Sequence, residues 1–195
     1  NADPEGRGRV KVSLDSLGPG IVTDWIEVLT DYTGNFFLPE VGEQVMVAFA
    51  GDNAERGVVI GSVWSNAQKP PATGENGNGD VNKDGKNQMR YVKTKSGHMV
   101  VFDDTKGKEK LQIIASGGKT RIQASAQDKK MGIKSDLDIA IEGKKKLNIK
   151  GQEVKIESNK ICGIKGDETG FESKKGMNVK ASKNLGLKGS GIALN

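Results

Sequence analysis

The last third of the chain repeats itself. Between Met131 and Leu194, apolar residues recur in pairs separated by one residue: Met131/Ile133, Ile139/Ile141, Leu147/Ile149, Val154/Ile156, Cys162/Ile164, Met177/Val179, Leu185/Leu187 and Ile192/Leu194. Thr169/Phe171 completes the series with a less apolar pair. Successive pairs begin 8, 8, 7, 8, 7, 8, 8 and 7 residues apart, a mean period of about 7.6. Two apolar residues at i and i+2 share one face of a strand, while the residue between them (Ala140, Lys155, Asn178) faces the other way. The spacings of three and four that a helix requires are missing. Each unit therefore reads as a strand of about five residues closed by a polar turn, such as Gly143-Lys144-Lys145-Lys146 or Gly151-Gln152-Glu153.

One such unit carries a stripe too narrow to bury on its own. Stacked units pair edge to edge at roughly 4.8 Å, which satisfies their backbone groups and joins the stripes into a continuous core. A single-chain β-helix spends about 18 or more residues on each coil, so a unit of this length forms only one side of it. Either three consecutive units make one coil of one chain, or three chains each supply one side of a triangular prism. The narrow, aromatic-poor stripe favours the second arrangement.

Composition agrees with an elongated object. Of 195 residues only 34% are hydrophobic and 5% aromatic, less than a conventional globule of this size requires for its core. There is no apolar run long enough to span a membrane and no signal-like opening segment, so no signal peptide is expected. The single cysteine, Cys162, allows neither an intrachain disulfide nor a zinc cluster and falls at an apolar position of the repeat, where it reads as a small hydrophobe.

Charge divides the chain. Residues 1–66 carry a net −6 and the remainder +11, giving +5 in total. The lysines of the repeats surround the apolar positions and no aromatics are interleaved for base stacking, so they read as a solvated exterior and no nucleic-acid partner is expected. The acidic part, 1–66, reads as a small antiparallel barrel of the OB type, with strands at 8–14, 25–29, 44–49 and 58–64 and turns at Gly18-Pro19-Gly20, Pro39 to Glu43 and Gly51-Asp52-Asn53. Trp25 and Trp64 read as barrel core.

These segments carry a specific likeness. Gly8-Arg9-Val10-Lys11-Val12, Trp25-Ile26-Glu27-Val28, the run from Phe36 to Val45, Gly51-Asp52, Val58 to Val63 and Lys69-Pro70-Pro71 together resemble the OB domain of the spike proteins of contractile injection systems. That family includes the VgrG proteins of type VI secretion and the central spikes of contractile phage tails. Lys95-Ser96-Gly97-His98, Phe102-Asp103-Asp104-Thr105 and Gly107-Lys108-Glu109 are similar to the start of the family's β-helical needle. The resemblance implies an all-β homotrimer: an OB-type barrel at 1–66, a Gly/Asn-rich linker at 67–90, and an intertwined three-chain β-helix, a triangular prism, at 91–195. It implies a needle core of Ile133, Ile141, Ile149, Ile156, Ile164, Phe171, Val179 and Leu187.

The same resemblance implies partners and a task. A hub or tail-tube protein would lie on the barrel side, and effectors and a PAAR-type tip protein at the needle end. Leu187, Gly189, Gly191, Ile192 and Leu194 would form the tip-docking platform, or else a plain end-cap. The machine would be assembled in the cytoplasm and ejected, its spike puncturing a target membrane. The family's large N-terminal hub domains are not seen, so the chain is expected to be a fragment or a short spike on a separate hub. Residues 67–89 are too few for the lysozyme domain that some phage members carry.

No catalytic constellation emerges, and neither a metal nor another cofactor is expected. Asp80 to Lys86 opens like an EF-hand calcium loop, but Tyr91 stands where the bidentate glutamate is required, so a polar turn is the better reading. His98, the single histidine, reads as a hydrogen-bonded residue beside the Ser96-Gly97 turn between strands at 91–94 and 98–102. Asp103/Asp104 and Asp136/Asp138 are sequence neighbours with no sign of a raised pKa. Two other classes compete with a mechanical spike: a carbohydrate-binding OB module on a stalk, and a polysaccharide-active enzyme on a single-chain β-helix.

Overall fold

The computed structural model describes residues 2–51, 56–71 and 85–192. Among them the fold is all-β, without a helix. The chain divides into two compact units, residues 1–140 and 141–195, a boundary far from the composition break at 66. The calcium-like loop at Asp80–Lys86 lies largely outside the described residues.

The first unit opens with a small barrel-like sheet built on alternation. Strands β1 (Glu27–Val28), β2 (Val45–Phe49) and β3 (Gly57–Ser62) are ordered β1-β3-β2, with β1 parallel and β2 antiparallel to β3. A bulge between Met46 and Val47 shifts the register. Val10, Ile26 and Val59 form the buried core, with Val12, Val28, Leu38, Val45 and Val47 packed around it. Gly57 sits close against its neighbours: a Cβ there would lie 2.9 Å from Phe49 Cε1 and 3.1 Å from Val47 Cγ1, so those side chains would have to give way.

The strands expected at 8–14 and 25–29 are reduced to isolated bridges, Val10 to Ile26 and Ser13 to Val22, beside the short β1. The reason is a side chain. Val12 N–H donates to Thr23 Oγ1 at 3.0 Å in place of a backbone carbonyl, while Thr23 N–H donates to the Val12 carbonyl at 2.9 Å. Thr23 is thereby buried yet satisfied. Trp64 is a correction: it is 71% exposed rather than core. Val59 pairs with Val47 but Gly61 with Met46, so Ile60 is the extra residue of the bulge, and the alternation of β3 does not carry across it to Trp64, which lies two residues beyond the strand's end. Trp25 is half-buried, with Lys11 Nζ 5.4 Å from its ring centroid.

Next comes a five-stranded antiparallel meander in sequence order: β4 (Met89–Lys93), β5 (Met99–Asp103), β6 (Lys110–Ile114), β7 (Thr120–Ser125) and β8 (Lys130–Ser135). The β4–β5 hairpin turns at Ser96-Gly97, where Gly97 takes a φ of +95° and its N–H donates to the Thr94 carbonyl at 2.9 Å. Within this unit the meander is tied to the preceding segments by Lys95 Nζ to Glu40 Oε2 at 3.2 Å and by Tyr91 OH donating to the Pro71 carbonyl at 2.7 Å. Burial raises the Tyr91 phenol above its ordinary pKa.

The needle segment expected from residue 91 thus begins as an ordinary meander, and Met131/Ile133 belong to its last strand. Beyond β8 the chain changes character. From 137 to 192 the described backbone forms no strand pairing within the chain. Bends fall at 144–145, 152, 159–160, 167–168, 174–175, 182–183 and 190, and extended segments lie between them. Each complete extended segment carries one apolar pair.

Candidate functional site

The meander register aligns two rows of side chains across one face. Val92, Val100, Ile113, Ile122 and Ile133 are direct cross-strand neighbours, one from each strand; Arg90, Phe102, Leu111, Ala124 and Met131 form the second row. Cross-strand neighbours of this kind stabilise a sheet by mutual packing, yet this face is open. Ile113 is 50% exposed and Ile133 58%. Part of it forms a shallow apolar depression of about 290 Å³ with His98 and Arg121 among its lining residues.

The opposite face is buried at its centre. Val101 and Gln112 are buried there, and Gln112 Nε2 donates to Gln123 Oε1 at 3.0 Å. The open face is therefore the one that lacks a covering layer.

Sequence reasoning missed that this face belongs to the same pattern as the repeats. Val100/Phe102, Leu111/Ile113 and Ile122/Ala124 are also pairs separated by one residue, but they step by 11, 11 and 9 residues up to Met131/Ile133. Hairpin turns consume more residues than the later bends, so a search at eight stops at β8. The spacing of the pair members, not the period, is the signal that finds them.

In the second unit the expected core residues Ile141, Ile149, Ile156, Ile164, Phe171, Val179 and Leu187 all stand exposed, between 63% and 70%. An aliphatic side chain of this size gives up roughly 1.5–3 kcal/mol by remaining in water, so a run of them is a large unsatisfied surface. Cys162 is likewise exposed in the single chain. Of the tip residues, Leu187 and Ile192 are exposed, Gly189 and Gly191 lie beside the bend at 190, and Leu194 is outside the described residues.

Nothing in the described residues gathers into a reaction centre. No group of three or more His, Cys, Asp or Glu there is placed to hold a metal ion. His98 Nδ1 accepts a hydrogen bond from Ser116 N–H at 3.1 Å beside the hairpin turn. Glu109 is held below its ordinary pKa by backbone N–H donors, its own and that of Gly107, a turn interaction. Asp103 faces Lys110 at 4.0 Å and Asp104 pairs with Arg90 at 2.7 Å. Among the described residues the most strongly held carboxylate is Asp3, bound to Arg9 in the N-terminal segment.

Comparison with known families adds the remaining fact. Residues 1–64 match the family model of the type VI secretion system/phage-baseplate injector OB domain. The match covers the open sheet with the Val10, Ile26 and Val59 core, and supports there an OB domain of the VgrG-like spike kind. It points to a baseplate- or spike-related structural role, in a tail- or machine-associated location, and the matched domain family is structural rather than catalytic. No curated protein matches the chain.

Proposed function

We propose that the chain is the structural spike of a contractile injection machine, acting as a homotrimer in which three copies bury one another's apolar stripes. What carries the reading is the stripe itself. Residues 141–192 have the local geometry of stacked units, extended segments broken by bends every seven or eight residues, but no pairing within the chain. Their unpaired backbone groups and exposed aliphatic side chains call for neighbours of the same length and period, and identical chains supply both.

Three chains wound about one axis would give a prism of about ten rungs, on the order of 50 Å long. Closed, interlocked strands expose few edges and must separate together, which gives the kinetic stability a puncturing device requires. The OB domains would form a collar facing a hub or tail-tube protein. Contraction would drive the needle, assembled in the cytoplasm, through a target membrane, with effectors or a PAAR-type tip protein carried at its end. No step in this task is catalytic.

The test is the solution mass of the purified chain by light scattering, combined with electrophoresis in SDS before and after heating. A mass near three times 20.8 kDa that survives SDS until heated is the expected outcome. A compact monomer would overturn the reading.

A further inference from the structure

The turns of the second unit recur at fifteen residues, not at seven or eight. Ser158 Oγ donates to the Ile161 carbonyl at 2.9 Å, and fifteen residues on, Ser173 Oγ donates to the Gly176 carbonyl at 2.7 Å. Fifteen residues earlier, Gly143 occupies the same place: a Cβ there would lie 3.2 Å from the Lys146 carbonyl oxygen. The turns between these are tighter. A Cβ on Gly151 would lie 3.1 Å from the Glu153 carbonyl oxygen, and one on Gly166 3.0 Å from that of Glu168. Two kinds of corner alternate, and the units they open form three copies of a longer repeat, residues 136–150, 151–165 and 166–180.

Charge follows the corners. The seven-residue units 136–142, 151–157 and 166–172 carry net charges of −3, −1 and −3, and the eight-residue units 143–150, 158–165 and 173–180 carry +4, +2 and +3. The order is sharpest at one position. The residue directly after the apolar pair in each of these six units is Glu142, Lys150, Glu157, Lys165, Glu172 and Lys180 in turn, an alternation that ends with Lys188 after Leu185/Leu187. On an extended segment this residue faces away from the apolar stripe. A merely solvated exterior requires charge, but not an alternation of sign at one structural position through six units.

None of these six side chains has an ion-pair partner among the described residues. The ion pair found among the described residues of 141–192 is Lys155 to Glu153, at 3.1 Å. We infer that the alternating row is an interchain register device: a carboxylate of one copy pairs with an ammonium of a neighbouring copy one rung away. This rests on the trimer proposed above. Adjacent paired strands place facing side chains about 4.5–5.5 Å apart, where opposite charges stabilise and like charges oppose. An apolar stripe of uniform period accepts a copy displaced by one unit almost as well as one in register. The charges do not, because a one-unit slip sets Glu beside Glu and Lys beside Lys. Attraction in register and repulsion out of it together select one alignment.

The test uses the full chain carrying Cys162→Ser and a spin label at Asn148→Cys, an outward position between Leu147 and Ile149. Each chain is unfolded and reassembled at low salt, then examined by light scattering and by pulsed electron paramagnetic resonance. The unreversed chain is expected to give a trimer with one narrow label–label distance. Reversal of one sign (Glu142→Lys, Glu157→Lys, Glu172→Lys) is expected to lower the trimer yield or add longer distances. Reversal of all six, by adding Lys150→Glu, Lys165→Glu and Lys180→Glu, is expected to restore the single distance.

One narrow distance in all three chains would overturn the inference while leaving the trimer standing. Failure of both reversed chains to assemble while the unreversed chain trimerises would overturn it too, since the order of signs would then not be what matters. A monomeric unreversed chain would overturn the proposed function itself.

Discussion

Arg9 grips Asp3 with two nitrogens: Nη2 lies 2.8 Å from Oδ1 and Nε 3.2 Å from Oδ2. Backbone N–H groups of Glu5, Arg7 and Arg9 donate to the same carboxylate, and the Asp3 side chain is 4% exposed. The Arg9 guanidinium, with those N–H donors, holds the Asp3 carboxyl well below its ordinary 3.8. The folded state therefore binds this proton more weakly than the unfolded state. The stability it contributes is complete above about pH 4 and is lost as pH falls toward the depressed folded value. The melting temperature of the N-terminal sheet is expected to fall on acidification below about pH 4, and Asp3→Asn to lower it at neutral pH and flatten that acid dependence. Circular dichroism melts across pH measure both.

Ile26 is 2% exposed between Val10 and Val59. Ile26→Ala removes buried methyl groups from a core of few members, and a cost of about 2–5 kcal/mol is expected, read from denaturant unfolding of the N-terminal sheet. Trp64→Ser, at an exposed position beyond the end of β3, is expected to change the same transition by less than about 0.5 kcal/mol. Equal losses at the two positions would contradict the burial pattern.

The pair spacing made the repeats legible, because i and i+2 on one face is a property of single strands and survives without tertiary context. The strands at Val45–Phe49 and Gly57–Ser62 and the turn at Ser96-Gly97 were legible for the same local reasons. Trp64 was not: residue type favours burial, but the bulge at Ile60 breaks the alternation that follows Val59 and Trp64 falls beyond the strand's end, features fixed only once the sheet is assembled. Nor was the interrupted first hairpin, since a single Thr23 hydroxyl replaces a backbone acceptor there. The open face of the meander escaped because its turns are longer than the bends that define the period.

That face offers its own test. Phe102 and Leu111 are direct neighbours across β5 and β6 and are 50% and 42% exposed in the single chain. If three meanders bury this face together, Leu111→Asp is expected to lower the SDS-resistant fraction sharply, because a buried unpaired carboxylate costs several kcal/mol. Lys93→Ser, on the opposite face of the sheet, is expected to leave that fraction unchanged.

The second unit separates the trimer from its alternatives most cleanly. Ile156 is 70% exposed in the single chain, and its neighbour Lys155, also exposed, pairs with Glu153 at 3.1 Å. For a lone chain the two positions are equivalent surface sites, and neither Ile156→Asp nor Lys155→Ala has a buried group to disturb. For three chains they differ in kind. Position 156 would face its two copies near the axis, so Ile156→Asp would bring three carboxylates together away from water, a cost of several kcal/mol for each. Lys155→Ala would remove only an exposed ion pair, about 0–1 kcal/mol. Light scattering is expected to find Ile156→Asp dissociated, with its N-terminal sheet still folded by circular dichroism, and Lys155→Ala assembled. Indifference to both substitutions would mean that the stripe is not the surface on which copies of this chain meet.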